Sequence, residues 1–280
     1  MNRSTYRLGF SPCPNDTFIF HALATGKVPT PGIEWEPILE DVETLNKLAF
    51  DRAIPVTKIS FHAYGNLRES HLLLSAGSAL GRGCGPLIVA RETMTRQKLE
   101  GERIAIPGKW TSAALLLRLF APKLRASQLV EMPFDCILER VAQGKVAAGL
   151  IIHESRFTYA DHGLVALADL GQWWEDESGL PIPLGGVIAD RALGEVQLRT
   201  INDALRESVR HARSHPDDSA EYVRSHAQEL SQEVTRAHID LYVNDFTEDL
   251  GETGLEAIGA LFRYAEAKGI LLPFEGSLTL

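Results

Sequence analysis

The size, composition and charge of the chain restrict the class of protein to which it can belong. It has 280 residues, 45% of them hydrophobic and 23% charged, which is ordinary for a globular protein with a substantial core. The formal net charge of −9 argues against nucleic acid as a partner, because phosphate binding needs a basic face.

Strand and helix patterns alternate in the first part of the chain. Residues 6–10 predict a strand, and the turn Ser11–Thr17 is expected to start a helix. A second strand over Ile33–Leu39 contains Pro37, which favours a sheet edge or a bulge. The next elements are a helix over Val42–Phe50 capped by Asp41, a strand over Val56–Ser60 and a helix from about His62 to Leu67. This alternation predicts an α/β fold with a parallel sheet.

A glycine-rich loop over residues 77–85 separates this unit from the next. Gly77, Gly81, Gly83 and Gly85 allow a tight turn or a close approach to a ligand. No Gly-Lys-Ser/Thr follows, so the loop is not a phosphate loop. A plain turn and a functional loop are both compatible with this sequence.

A second α/β unit begins near Arg103. Its predicted elements are a helix over Ser112–Phe120, a strand near 130–132, a helix over Cys136–Ala142 and a strand over Ala148–Ile152. The segment 181–189 then crosses back toward the first unit. Helical spacing of apolar residues predicts helices from about Arg191 to Lys268, with a turn at 251–254.

The order of these units predicts two lobes with a cleft between them. We assign residues 1–93 and 185–280 to the first lobe and residues 94–184 to the second. Ligands commonly bind in such a cleft.

Cysteine usage and hydropathy predict where the protein works. The chain has an odd number of cysteines, and they are widely spaced: Cys13, Cys84 and Cys136. This favours a reducing compartment. The N-terminal residues show no apolar signal core, and no run has the length of a membrane span. We therefore predict a cytoplasmic protein that does not bind membranes; its oligomeric state is left open.

The segment Gly149–Phe157 carries the strongest candidate for catalysis. An apolar strand there ends at His153, where a sheet presents side chains to a ligand. An imidazole has a pKa near neutrality and can act as a general base. The alternative is a structural histidine that bonds a nearby backbone carbonyl. Glu154 follows in an extended segment, so its side chain is expected to point away from His153 and to be structural.

Two predicted helix starts would bind an anion in the cleft. Ser11 and Asn15 precede the first helix of one lobe, and Thr111 and Ser112 precede a helix of the other. Unpaired N–H groups and the helix dipole favour a carboxylate at such positions, although the hydroxyls also serve as caps. Lys58 would add a positive charge at a strand end.

The sequence contains no signature of a metal or nucleotide cofactor. No pair of histidines has metal-ligand spacing, and neither a dinucleotide fingerprint nor a serine nucleophile elbow is present. The remaining histidines are not marked as functional. We expect those in the helical tail to be surface or core-edge residues: His211, His215, His226 and His238.

Several blocks of sequence closely resemble one enzyme family. They are Leu8–Phe18, Leu39–Asn46, Thr57–Ser60, Ala79–Leu87, Gly149–Tyr159 and Leu180–Gly186. Together they resemble the 1,4-dihydroxy-6-naphthoate synthases of the futalosine route to menaquinone. The resemblance covers essentially the whole chain from about Leu8.

The resemblance implies a two-lobed fold like that of type II periplasmic binding proteins, with a helical C-terminal region. It implies a lyase that converts cyclic dehypoxanthinylfutalosine to 1,4-dihydroxy-6-naphthoate and dihydroxyacetone, without a cofactor. His153 matches the family's proposed base. The segments Lys58-Ile59-Ser60 and Ser112-Ala113 match its substrate contacts. Trp110 departs from the pattern, because a more polar residue is expected there.

Two alternatives remain at this point. One is chorismate dehydratase, an enzyme of the same pathway and fold, against which the Ser11–Phe18 block and the His153-Glu154 pair argue. The other is a non-catalytic cytoplasmic protein that binds small anions. Turnover distinguishes the second alternative from an enzyme.

Overall fold

The chain folds into short strands separated by helices. A computed structural model describes residues 4–153, 155–227 and 231–280. The strands are β1 (Ser4–Phe10), β2 (Ile33–Leu39), β3 (Val56–Ser60), β4 (His71–Leu73), β5 (Ala79–Gly81), β6 (Leu87–Ala90), β7 (Ile104–Ile106), β8 (Leu129–Glu131), β9 (Ala148–Ile151), β10 (Val165–Asp169) and β11 (Ile182–Asp190). The α-helices are α1 (Pro14–Ala24), α2 (Val42–Phe50), α3 (Phe61–Leu67), α4 (Arg96–Leu99), α5 (Ser112–Phe120), α6 (Phe134–Ala142), α7 (Ser155–Thr158), α8 (Leu170–Ser178), α9 (Glu195–Ser214), α10 (Ala220–His226), α11 (Gln232–Tyr242), α12 (Asp245–Glu248) and α13 (Gly251–Ala267).

The first sheet has the order β2-β1-β3-β11-β4, and β5 also pairs with β11. Strand β1 is parallel to β2 and β3, whereas β11 is antiparallel to its partners. The predicted parallel arrangement of the first three strands is confirmed, whereas β11, which returns from the second unit in the opposite direction, adds an antiparallel strand that the sequence did not reveal. Pro37 lies in the edge strand β2, as predicted, which is where a sheet tolerates a residue without an N–H.

The second sheet has the order β10-β6-β9-β7-β8. We call the part of the molecule built on this sheet the second lobe, and the part built on the other sheet the first lobe. Strand β6 pairs along its length with β9 and β10. The chain therefore enters the second lobe between β5 and β6, and it returns between α8 and β11.

These crossings correct the predicted boundary at residues 93 and 94. The apolar strand Leu87–Ala90 was expected in the first lobe, but it lies in the second sheet. All of its residues are buried, and an apolar strand buried on both faces fits the centre of a sheet better than a connection. The predicted return near residue 185 falls close to the start of β11 at Ile182.

Helix α5 occupies the centre of the largest hydrophobic core. Leu115, Leu116 and Leu117 are fully buried, and they belong to a cluster that includes Ile59 of the first lobe and Ile104 of the second. Burial of such a helix is strongly stabilising, since each buried leucine contributes roughly 1.5–3 kcal/mol. This packing fixes the N-terminus of α5 at the border between the lobes.

Side-chain caps fix two helix starts that face the cleft. Asp41 accepts hydrogen bonds from the N–H groups of Glu43 (2.9 Å) and Thr44 (3.1 Å) at the start of α2. Thr111 accepts one from the N–H of Ala114 (3.1 Å) at the start of α5. The predicted Asp41 cap and the predicted bounds of α2 and α5 are confirmed.

The C-terminal helices pack on the first lobe, where α9, α10 and α11 contact α1. The expected turn at 251–254 is wrong, because Gly251 is already the first residue of α13. Asp249 accepts the N–H of Gly251 (2.9 Å), so the chain turns just before the helix rather than within this segment. In the described residues, no helix is both long and apolar enough to cross a membrane.

Candidate active site

A cavity lies in the cleft between the lobes and encloses about 710 Å³ of empty space, including its mouth. Every residue that the sequence analysis assigned to the site lines it. These residues are Ser11, Asn15, Lys58, Ile59, Ser60, Thr111, Ser112, Ala113 and His153. The structure therefore brings together residues that are far apart in the sequence. Their individual roles stay predictions.

A buried ion pair lies at the first-lobe wall of the cavity. The Nζ of Lys58 is 2.6 Å from Oδ1 of Asp16, and both side chains are almost fully buried. Asp16 also accepts hydrogen bonds from the hydroxyl of Ser11 (2.7 Å) and the amide of Asn15 (2.8 Å). The charge of Lys58 is therefore balanced within the protein. Sequence reasoning missed Asp16, although its position in the first turn of a helix favours an acidic residue.

Ser60 is tied to helix α2 by an asparagine. Its N–H donates to Oδ1 of Asn46 (2.9 Å), and the amide of Asn46 donates to Oε2 of Glu43 (3.1 Å). All three residues are buried. This arrangement fixes the end of β3, and with it Ile59 and Lys58, relative to α2.

The start of α5 forms the second-lobe wall. Thr111 is the N-cap of this helix, and the hydroxyl of Ser112 donates to the carbonyl of Leu184. Both hydroxyls thus have structural partners. The N–H groups of Ser112 and Ala113 have no acceptor within the helix, because the first turn of a helix lacks preceding carbonyls. They are the donors that an anionic group in the cavity can meet.

His153 enters the cavity from the second lobe, directly after β9. Its backbone has a φ of +55°, a left-handed conformation that is strained for a residue with a Cβ. Its Nε2 lies 4.0 Å from Sγ of Cys13, and its ring centroid lies 5.2 Å from that of Phe134. Glu154 lies outside the described residues, so its structural role stays a prediction.

His238 was placed wrongly by the sequence analysis. Instead of a surface or core-edge residue, it is fully buried on α11 and lines the cavity with Tyr242, one helical turn later. Its Nε2 is 2.9 Å from Oδ1 of Asn15, and burial lowers its pKa to about 3. The four-residue spacing of His238 and Tyr242, which puts both on one helix face, is the signal that could have identified them.

Glu43 joins the lobes beside the cavity. Its carboxylate accepts the N–H of Trp110 from the second lobe at 3.1 Å, and burial raises its pKa to about 6. A Cβ on Gly108 would lie 2.4 Å from Oε2 of Glu43, so a larger residue at this position would force the Glu43 side chain to move. Trp110 does not line the cavity; its ring packs against Phe50 and His62, at centroid distances of 4.7 and 5.5 Å.

The remaining lining is mostly apolar and includes the glycine-rich segment. Ala79 and Cys84 from this segment and Pro86, which follows it, contact the cavity, which favours a functional role for the loop. Further apolar contacts come from Val42, Leu45, Ile152 and Leu184. An apolar pocket with a few polar groups at its walls suits a small organic ligand. Among the described residues, no group of three or more His, Cys, Asp or Glu side chains could hold a metal ion.

The two sheets and the intervening cleft define a class of protein. The alkanesulfonate-binding protein of Xanthomonas axonopodis pv. citri has the same fold, with a TM-score of 0.73 over 98% of this chain and 96% of that one. Its sequence is only 14% identical, so the likeness concerns the fold alone. The chain therefore has a periplasmic-binding-protein-like fold, as the resemblance implied.

Closer relatives identify the family. A family model described as "Menaquinone biosynthesis" matches residues 6–267. A 1,4-dihydroxy-6-naphthoate synthase of Thermus thermophilus is 53% identical over 95% of this chain and 96% of its own length. One of Streptomyces coelicolor is 45% identical over 97% and 96%. This chain belongs to the menaquinone biosynthesis family, which confirms the resemblance found in the sequence.

A crystal structure of an Archaeoglobus fulgidus protein is also similar. It is 40% identical, with a TM-score of 0.89 over 95% of this chain and 98% of that one. At 40% identity, this relative is comparable to the chain in sequence as well as in fold.

Proposed function

We propose that this protein is a carbon–carbon lyase of menaquinone biosynthesis. It converts cyclic dehypoxanthinylfutalosine to 1,4-dihydroxy-6-naphthoate and dihydroxyacetone. The observation that carries the proposal is the 53% identity to a synthase of that name across 95% of the chain. The cavity between the lobes supplies the site in which the reaction would take place.

His153 is the proposed general base. A neutral imidazole accepts the proton of an acidic C–H bond, and the electron pair left behind drives ring opening and cleavage of the carbon–carbon bond. Formation of an aromatic ring favours the products, and dihydroxyacetone leaves once the imidazolium has returned the proton to the reacting molecule. The position of His153 at the cavity wall supports this role. In this proposal the reaction requires no cofactor.

The substrate carboxylate binds near the start of α5 in this proposal. Donors there are the N–H groups of Ser112 and Ala113, at a helix end that favours negative charge. Lys58 has three N–H donors, one of which is directed to Asp16, so the others can stabilise negative charge on a substrate oxygen. The small anionic partner predicted from the sequence is therefore the substrate itself.

Turnover of defined compounds tests this function. The purified protein is incubated with cyclic dehypoxanthinylfutalosine, and the naphthoate and dihydroxyacetone are quantified by mass spectrometry. Formation of both in equal amounts supports the proposal. Consumption of chorismate instead would favour chorismate dehydratase, and binding without turnover would favour the non-catalytic alternative.

The cytoplasmic location is also part of the proposal. It is supported by the sequence prediction of a reducing compartment and by relatives named as biosynthetic enzymes. Fractionation of the source cells, followed by immunodetection, tests it directly.

A further inference from the structure

Two imidazole rings from different lobes lie nearly parallel to each other at the cavity. The rings of His153 and His238 are 6.0 Å apart between centroids and are inclined by only 6°. We infer that His238 is a positioning residue that holds the ring of His153 for proton transfer. This inference rests on the proposed function, in which His153 is the base.

A chain of hydrogen bonds fixes the orientation of His238. Lys58 is paired with Asp16, whose carboxylate can only accept hydrogen bonds. The Nδ2 of Asn15 therefore faces Asp16 (2.8 Å), and its Oδ1 faces Nε2 of His238 (2.9 Å). Because Oδ1 is an acceptor, Nε2 of His238 carries the proton. The ion pair thus sets the tautomer of a histidine that it does not touch.

The ring of His153 has one aromatic neighbour from each lobe. Phe134 of the second lobe lies 5.2 Å away between centroids and is tilted by 51°, and His238 of the first lobe lies 6.0 Å away and is nearly parallel. The left-handed backbone of His153 further limits where its ring can point. Since one of the two flanking rings belongs to the opposite lobe, the base is fully positioned only when both lobes are in contact.

The charge state of His238 suits this role. Burial is the main cause of its low pKa, about 3, with smaller contributions from His153 and Lys58. His238 is therefore neutral over the working range, and it does not repel the positive charge that His153 acquires with the proton. Among the described residues, the titratable or charged groups around the two rings are Cys13, which precedes α1, Asp16 from α1, Lys58 from β3 and Tyr242 from α11.

Substitution of His238 tests the inference through a comparison of three variants. His238→Ala removes the stacked ring, His238→Phe keeps a flat ring without the bond to Asn15, and His71→Ala removes another fully buried histidine that does not line the cavity. We expect His238→Ala to lower kcat by about 10- to 100-fold, the size of effect produced by a slightly misplaced catalytic group. The KM should stay within a few-fold of the wild-type value, and His238→Phe should recover most of the lost rate.

The control and a second measurement make the result decisive. His71→Ala should retain the wild-type kcat per folded enzyme. In wild-type protein labelled with ¹⁵N-histidine, NMR should show His238 protonated at Nε2 and not titrating at neutral pH. An unchanged kcat in His238→Ala, equal losses in the alanine and phenylalanine variants, or a different tautomer would overturn the inference. A wild-type enzyme that forms no naphthoate would instead refute the proposed function, and the NMR result would still be interpretable.

Discussion

The two walls of the cleft differ in how their polar groups are used. On the first-lobe wall, Lys58, Asp16 and Asn15 are bound to one another by short hydrogen bonds. On the second-lobe wall, the start of α5 directs N–H groups toward the cavity, and His153 follows a strand end. The first wall is thus a neutralised framework, whereas the second carries the proposed carboxylate site and the base.

This difference indicates a division of labour between the lobes. A buried charge that is paired and hydrogen-bonded costs less to keep in a closed cavity than an unpaired one. Contacts across the cleft then bring the two walls together, through Glu43 and Trp110 on one side and the stacked histidines on the other. Hinge closure around a ligand is the usual motion of two-lobed binding proteins.

Removal of the base should have the largest effect on turnover. His153→Asn keeps a polar side chain but removes the titratable nitrogen, so kcat should fall by about 10²- to 10⁴-fold. Product affinity, measured by calorimetry, should change little. His162→Asn, an exposed histidine of the same lobe, is the matched control and should behave as wild type. Turnover of His153→Asn within a few-fold of wild type would place the base elsewhere.

Breaking the buried ion pair should mainly destabilise the fold. Lys58→Met leaves the carboxylate of Asp16 buried without its cation, which typically costs about 3–5 kcal/mol. Denaturant unfolding should show this loss, and the double variant Lys58→Met/Asp16→Asn should regain part of it. The control is Lys27→Met, which breaks an exposed pair with Asp218 and should cost less than about 1 kcal/mol. If Lys58→Met and Lys27→Met lowered the free energy of unfolding equally, Lys58 would not be structural.

A side chain at Gly108 should separate the two walls. Gly108→Ala places a methyl group against the Glu43 carboxylate, and overpacking of this kind typically costs about 1–3 kcal/mol. We expect a raised KM and a lowered kcat in steady-state assays, because the contact between the lobes is disturbed. Glu43→Ala should relieve the effect in the double variant. Additive losses in the double variant would show that the two residues do not compete for space.

The pH dependence of stability should report the Glu43 contact. The pKa of Glu43 is raised in the folded protein to about 6, so its contribution to stability is present at low pH and is lost as the pH rises through about 6. His62 and His238 have lowered pKa values, about 4 and about 3, and they act in the opposite direction, since their contribution is lost as the pH falls below about 6.5. The difference in the free energy of unfolding between wild type and Glu43→Gln isolates the contribution of the Glu43 carboxyl group.

The difference in the pH dependence of stability between wild type and Glu43→Gln is the smallest of the expected effects. Between about pH 4.5 and pH 7, the stability of Glu43→Gln relative to wild type should rise by about 2 kcal/mol, the equivalent of the pKa shift. Unfolding by urea at several pH values measures it. The exposed Glu40→Gln serves as the control and should show no such trend. A relative stability that is flat with pH would mean that Glu43 is not desolvated in solution.

Local signals in the sequence predicted much of the fold and the site. The Asp41 cap, the helix over Ser112–Phe120 and the edge strand with Pro37 follow from residue chemistry that acts over a few positions. Strand ends and helix starts marked His153, Lys58 and Ser112 as candidates, and the resemblance to a family favoured their functional interpretation over the structural one.

Long-range pairing explains what the sequence did not reveal. Strand β6 belongs to the second lobe because of its antiparallel partners β9 and β10, which no local pattern shows. Asp16 joins the site because β3 places Lys58 beside the start of α1, and His238 joins it because α11 packs against that same helix start. Both residues look like ordinary helix positions until the opposing side chains are known.

A crystal structure with bound 1,4-dihydroxy-6-naphthoate tests the division of labour most directly. We predict the carboxylate within hydrogen-bond distance of the N–H groups of Ser112 and Ala113, the ring beside His153, and the pair between Lys58 and Asp16 intact. A carboxylate bound to Lys58 with Asp16 displaced, or a product that lies away from His153, would contradict the account.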